Sequence, residues 1–179
     1  MNKHILVLST SLRKESNSDM LADAFAKGAR EAGNQVEQIS LRDKSIGFCK
    51  GCLACQKTGS CVIHDDADRI ARKMLHADVI VFATPIYYYE MSGQMKTMLD
   101  RANPLFIADY AFRDIYLLAA AAEDESHVID GAVHGLQGWI ACFEKARLAG
   151  TVIAGGVTEP GEVNGHSALE EAYRMGKDA

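Results

Sequence analysis

Residues 4–18 read HILVLSTSLRKESNS. Ile5, Leu6, Val7 and Leu8 make a short apolar run suited to a buried strand, and Ser9, Thr10, Ser11, Leu12, Arg13, Lys14, Glu15, Ser16, Asn17 and Ser18 lead from it into a helical pattern. Hydroxyls, an amide, a guanidinium and the free N–H groups of a helix N-terminus are the donors a phosphomonoester needs, and the helix dipole adds to their pull on its charge. Capping by Ser18, with Ser16 and Asn17 as turn residues, accounts for one or two of these hydroxyls. The others stand directly after the first strand without such a role, so the stretch reads as a phosphate site.

Outward from it, apolar runs alternate with helical periodicity. Strands are expected near 4–9, 35–40, 78–84, 114–121 and 150–156, and helices near 18–32, 65–76, 92–103, 128–146 and 166–176. Strict alternation predicts an α/β fold, a doubly wound five-stranded parallel sheet with helices on both faces. The chain of 179 residues, 48% hydrophobic, fits a single domain over 1–179. Its irregular stretches are a cysteine-rich loop at about 42–64, then Tyr87 to Met91, then Ala122 to Ser126. Loops at the carboxyl ends of such strands are where ligands bind.

A net charge of −5 with no long run of Lys or Arg argues against nucleic acid as a partner. No apolar stretch reaches a membrane span and the first residues do not read as a signal peptide, so no membrane partner and a cytoplasmic location are expected. Five cysteines in that compartment point to metal or redox chemistry before disulfides.

After the third strand comes Thr84-Pro85-Ile86-Tyr87-Tyr88-Tyr89-Glu90-Met91-Ser92-Gly93. Flat rings at a strand end suit a planar heterocycle, and three consecutive tyrosines cannot all pack into a core because successive side chains point in different directions. Gly155 and Gly156 end the fifth strand without a complete dinucleotide fingerprint. His64 reads as part of a helix start, and His127, His134 and His166 have no partners at metal-ligand spacing. Hydrolase readings are weak, since no Ser, His and acidic trio announces a nucleophile.

The opening STSLRKESNS, the segment TPIYYYEMSGQMKTMLDR and the tail GGVTEPGEVNGHSALEEAYRMGK together resemble the flavodoxin-fold NAD(P)H-dependent FMN reductases, in particular their iron–sulfur flavoprotein branch. The resemblance covers nearly the whole chain. It implies a flavodoxin-like fold and an FMN phosphate held by Ser9, Ser11, Arg13, Asn17 and Ser18. It also implies an isoalloxazine ring bordered by Pro85, Ile86, Tyr87, Tyr88, Met91, Ser92 and Gly93. The relatives commonly carry Gly where this chain has Thr10, so the loop path is expected to differ there. The implied activity takes a hydride from NAD(P)H and passes electrons to a quinone, a flavin, another small-molecule acceptor or a protein partner. A flavin carries the chemistry itself, so the lack of a protein acid or base is no objection. The alternative is a flavodoxin-like electron carrier with no small-molecule substrate.

Cys49, Cys52, Cys55 and Cys61 are spaced CxxCxxCx5C, which lets three thiolates converge on an iron–sulfur cube with the fourth arriving beyond a glycine turn. The spacing resembles the compact motif of the iron–sulfur flavoproteins and implies a 4Fe–4S cluster. Zinc and metal-free packed thiols are the other readings of the same residues. Cys142, among Leu136, Trp139, Ile140 and Phe143, reads as core. Exposed apolar content at Tyr87 to Met91 and at Leu105, Phe106, Ile107, Tyr110 and Phe112 predicts a homodimer or homotetramer.

Overall fold

The computed structural model describes residues 2–179. Five parallel strands, β1 (His4–Ser9), β2 (Gln35–Ser40), β3 (Val79–Tyr87), β5 (Asp114–Ala120) and β6 (Arg147–Ala154), lie in the order β2-β1-β3-β5-β6. A short sixth strand, β4 (Glu90–Met91), folds back antiparallel on β3, which the sequence reading did not anticipate. The order reverses direction beside β1, and at that switch the loops after β1 and β3 diverge and leave a crevice at the carboxyl ends.

Alternation along the strands builds the two faces. Ile5, Val7, Val79, Val81 and Leu118 point to one side, where α1 (Asn17–Glu31) and α6 (Ser167–Asp178) cover them. Leu6, Leu8, Ile80, Phe82 and Leu117 point to the other, beneath α3 (Asp66–His76), α4 (Gly93–Arg101) and α5 (Asp130–Ile140). The helices α1 and α6 touch backbone to backbone: a Cβ on Gly176 would stand 2.0 Å from the Phe25 carbonyl oxygen, so only glycine permits the approach.

Several boundaries differ from the sequence reading. The helix expected over 128–146 is a 3-10 turn at Ser126–Ile129 followed by α5, which stops at Ile140. Phe143 N–H then bonds the Ile140 carbonyl, and β6 begins at Arg147, earlier than expected. Cys142 therefore lies beyond the helix and is exposed rather than core. Met91, Leu105, Tyr110 and Phe112 are buried within this single chain, where Tyr110 and Phe112 stack at 4.5 Å between ring centres. Of the aromatic and apolar residues expected outside, Tyr87, Tyr88, Tyr89, Phe106 and Ile107 are exposed. Among the described residues no helix is long and apolar enough to cross a membrane.

Candidate functional site

The α1 N-terminus is built by Ser16, whose Oγ accepts the Asp19 N–H at 3.1 Å; Ser16, and not Ser18, is the cap. The first-turn N–H groups of Asn17 and Ser18 meet no acceptor among the described residues. Ser11, Ser16, Asn17 and Ser18 are buried beside them, and Ser11 Oγ accepts the Arg13 N–H at 3.2 Å. Unspent donors at a helix N-terminus fit a phosphate.

The same cleft is lined by Arg13, by Pro85, Ile86 and Tyr87 from the end of β3, by Ala120 and Ala122 after β5, and by Val157, Thr158 and Pro160 after β6. Asn17 ties these parts together. Its Oδ1 accepts the Val163 N–H at 3.1 Å and its Nδ2 donates to the Glu159 carbonyl at 3.0 Å. Arg13 reaches the same loop, donating to the Thr158 carbonyl at 2.7 Å. The structure thus brings together Ser11, Arg13, Asn17, Ser18, Pro85, Ile86 and Tyr87, which the sequence reading had assigned to one ligand.

It places the remaining five elsewhere. Ser9 donates its hydroxyl to the Asp19 carboxylate, which Arg42 neutralises at 2.6 Å. Ser92 caps α4 and knots Thr10 and Thr84 together through hydroxyl contacts of 3.0 and 3.2 Å, and Met91 is core. Gly93 faces a separate groove with Leu12, Lys44 and Phe48. Tyr88 is fully exposed. Thr10 donates its hydroxyl to the Ala83 carbonyl at 3.0 Å and is absorbed into this knot. Arg42 and the 157–163 loop escaped the residue-level reading because they meet Asp19 and Asn17 across 23 and 146 positions of chain.

The tyrosine loop is a two-residue hairpin in which Tyr88 and Tyr89 both take left-handed backbone angles, φ 51° and 63°. Tyr89 stacks on His127 and donates to Glu123 at 2.7 Å; that carboxylate's hydrogen bond and charge raise the phenol's pKa. The hairpin also docks on α5, where a Cβ on Gly131 would stand 2.3 Å from the Tyr89 carbonyl oxygen.

Cys49, Cys52, Cys55 and Cys61 line a second cavity of about 450 Å³, with Cys142, Trp139 and Phe143 on its other walls. Three of the four sulfurs receive N–H donors. Gly51 N–H reaches Cys49 at 3.4 Å, Asn103 Nδ2 reaches Cys55 at 3.1 Å and Ile63 N–H reaches Cys61 at 3.5 Å. Four thiols, each of a type that ligates iron or zinc, share the walls of this one cavity. Among the described residues, however, no three Cys, His, Asp or Glu side chains are gathered as closely as a bound ion requires.

The neck of this loop is closed by Arg101, whose side chain is fully buried. It donates to the Gly47 carbonyl at 2.7 Å, the Ile63 carbonyl at 2.9 Å, and both Asp65 carboxylate oxygens at 2.7 and 2.9 Å. Burial pushes the Asp65 pKa up, but the hydrogen bonds from Arg101, Gly47 and Ala67 and the Arg101 charge together hold it below the usual carboxylate value. Asp65 also caps α3, the role that the sequence reading gave to this helix start; His64 beside it is exposed.

Comparison with known proteins places these features in context. The family model described as NADPH-dependent FMN reductase matches residues 4–172. An iron–sulfur flavoprotein of Methanocaldococcus jannaschii is 39% identical over 103 residues, 58% of this chain and 53% of the relative. A Bacillus subtilis protein named for a proposed NAD(P)H-dependent, FMN-containing oxidoreductase role is 27% identical over 96% of this chain and 95% of its own. The chain spans about half the length of the first curated relatives it matches. Among solved structures, an NAD(P)H:quinone oxidoreductase from Methanothermobacter marburgensis superposes with a TM-score of 0.77 at 17% identity, covering 99% of this chain and 96% of that one. That likeness is one of fold.

Proposed function

The chain belongs to the NADPH-dependent FMN reductase family, and from that premise we propose that it is an FMN-dependent oxidoreductase that takes a hydride from NAD(P)H and passes electrons on. The observation that carries this reading is the cleft in which unspent donors at the α1 N-terminus and the Pro85-Ile86-Tyr87 segment line one space. Ser11, Ser18, Arg13 and the Asn17 and Ser18 N–H groups would hold the phosphate, with charge-assisted hydrogen bonds from Arg13. Pro85, Ile86 and Tyr87 would wall the ring, and the small Ala120 and Ala122 leave room for a flat group. When bound, FMN supplies hydride acceptance and onward electron transfer, while the protein binds, orients and excludes water. FMN is favoured over FAD because the cleft offers a phosphomonoester site at the α1 N-terminus.

The acceptor is proposed to be a quinone, a free flavin or another small molecule, and the family model's description as a reductase favours an enzyme over a bare carrier. For the second cavity we propose a 4Fe–4S cluster on Cys49, Cys52, Cys55 and Cys61. The supports are four thiols sharing one cavity and the iron–sulfur flavoprotein name of a relative. Exposed Tyr87, Tyr88, Tyr89, Phe106 and Ile107 support assembly into dimers or tetramers. Light scattering would then exceed the 19.5 kDa of one chain at micromolar concentration.

An anaerobic absorbance spectrum from about 300 to 600 nm, with mass spectrometry of the released cofactor, tests both cofactors together. Flavin bands, released FMN and consumption of NADH or NADPH are expected. Released FAD, or protein that binds no flavin, overturns the FMN reading. About four irons and four sulfides per chain are expected after anaerobic reconstitution, falling sharply in each Cys→Ser variant. Iron-free protein overturns the cluster reading and leaves the flavin reading standing.

A further inference from the structure

Asp19 stands in the first turn of α1, directly after the Asn17 and Ser18 N–H groups that meet no acceptor among the described residues. A carboxylate there suits the helix dipole, but it competes with an incoming phosphate for the same positive end and repels its charge. Left alone, it would weaken the site that its own helix makes.

That charge is answered from another element. Arg42, just beyond the end of β2, donates from Nη2 to the Asp19 carboxylate at 2.6 Å, and the same nitrogen donates to the Arg13 carbonyl at 2.7 Å. Ser9 holds the other carboxylate oxygen through its hydroxyl. Strand pairing sets this reach: Ser9 lies opposite Ser40, Leu41 N–H donates to the Ser9 carbonyl at 2.8 Å, and the Ser40 hydroxyl accepts the Arg42 N–H at 3.3 Å. The Arg42 and Asp19 side chains are 24 and 17% exposed, so solvent screens the pair only in part.

Arg13 is thereby held at two points. Arg42 ties its backbone carbonyl to the end of β2, and the Thr158 carbonyl ties its guanidinium to the loop after β6 at 2.7 Å. Between Arg13 and the Ser16 cap the chain turns through Glu15, whose φ of 51° is left-handed for a residue with a side chain. The tether from Arg42 fixes the path of this turn from outside it. Arg42 Nε is buried with no acceptor among the described residues, so the contacts run through one nitrogen and not through the planar fork.

We infer that Arg42 is a positioning residue of the phosphate end: it cancels the Asp19 charge at the α1 N-terminus and ties down the Arg13 backbone, so that the helix N–H groups meet a phosphate without an unbalanced carboxylate in their own turn. The inference rests on the FMN reading proposed above. Its effect falls on the phosphate alone, and riboflavin, which carries the same ring without that group, is the control.

The test uses the flavin-free full chain as wild type, Arg42→Gln, Arg42→Lys, Asp19→Asn, and Arg42→Gln combined with Asp19→Asn. FMN and riboflavin are titrated in low-salt buffer free of phosphate and sulfate, and the preference is read as the riboflavin Kd divided by the FMN Kd. Arg42→Gln lowers that preference about fivefold or more, because a first-turn carboxylate then faces the phosphate uncompensated. Arg42→Lys keeps the charge on one nitrogen and stays within about threefold of wild type. Asp19→Asn raises the preference, and added to Arg42→Gln it recovers most of the loss. A clamp that merely shaped the loop predicts a double variant no better than Arg42→Gln, or both flavins weakening together. Either result overturns the inference, as does an unchanged preference in Arg42→Gln or a loss in Arg42→Lys as large as in Arg42→Gln. Should Arg42→Gln fail to fold, Asp19→Asn decides alone, and a preference at or below the wild-type value overturns it. Wild type that binds no flavin, or binds FMN no better than riboflavin, overturns the phosphate reading and this inference with it, whereas wild type that prefers FMN with unmoved variants overturns only the inference.

Discussion

The phosphate end of the cleft and the cysteine lobe are held by different kinds of structure. At the phosphate end, donors are presented by a strand that stops and a helix that starts within residues 9–18, and the helix itself makes the N–H groups available. In the lobe, the cysteines sit in a loop with only one short helix, α2 (Cys55–Thr58), and depend on a charge arriving from α4. Removing a cleft donor should therefore harm the ligand more than the fold. Removing the lobe's clamp should harm the fold of the lobe first.

The largest expected effect follows from the clamp. Asp65→Ala leaves the buried Arg101 guanidinium without its counter-charge, a change that typically costs about 3–5 kcal/mol. Urea unfolding should show that loss, and limited proteolysis should cut between 48 and 62 before anywhere else. The pH dependence has a definite sign. Because the folded-state pKa of Asp65 lies below its ordinary value, its contribution is fully present above that ordinary value and disappears as pH falls through the depressed one. Wild type should thus lose stability on acidification more steeply than Asp65→Ala does. Equal acid limbs would mean that the lobe is held by something other than this pair.

On the cleft side, Arg13→Ala combined with Ser11→Ala removes hydrogen bonds worth roughly 1.5–3 kcal/mol each where they meet charge. FMN affinity, followed by the fluorescence of the free flavin, should weaken more than tenfold. The unfolding midpoint should barely move, since Arg13 is exposed and its remaining contacts are a carbonyl and a surface carboxylate at 3.5 Å. A large loss of stability would make the phosphate loop as dependent on long-range support as the lobe is.

Legibility in the sequence follows the same division. The order of the parallel strands' elements and the hydroxyl loop could be read because burial on both sheet faces and helix capping leave local patterns. The additional hairpin could not, since three tyrosines carry no turn signal of the Asn-Gly kind. Cys142 was misread because the apolar period of α5 continues in sequence through Phe143, although the backbone leaves the helix after Ile140. Tyr110 and Phe112 fall between regular elements, so no periodicity revealed that Phe143 would meet them edge-on at 5.2 Å. Arg101, the charge that closes the lobe, looks in sequence like any basic residue in a helix's last turn, a place where dipole and solvent already account for it.

Asn17 tests whether the cleft is as local as it looks. Its side chain satisfies the buried Val163 N–H and the Glu159 carbonyl across the top of the sheet. Asn17→Ala should cost about 1–3 kcal/mol by leaving that N–H unpaired. FMN binding should weaken severalfold in the same variant, because the Val157, Thr158 and Pro160 wall loses its anchor. Hydrogen exchange confined to 157–165 would locate the effect. Unchanged exchange there would place the wall's support in α6 instead.

The smallest effect is expected at the hairpin, where the two tyrosines in left-handed backbone differ in what their side chains do. Tyr89 has compensation, stacking on His127 and hydrogen-bonding Glu123, whereas Tyr88 is fully exposed and has none among the described residues. A left-handed angle costs an ordinary L-residue about 1–2 kcal/mol, and Asn tolerates it better than Tyr. Tyr88→Asn should therefore stabilise the isolated chain by about 0.5–1 kcal/mol in urea unfolding, without loss of FMN. A stability that instead falls, and falls more at low protein concentration, would mean that the ring is buried against a second copy. A loss of FMN affinity at unchanged stability would put Tyr88 beside the flavin and extend the cleft to the hairpin tip. Either result would show that the strain at this turn is retained for what the ring contacts outside its own chain.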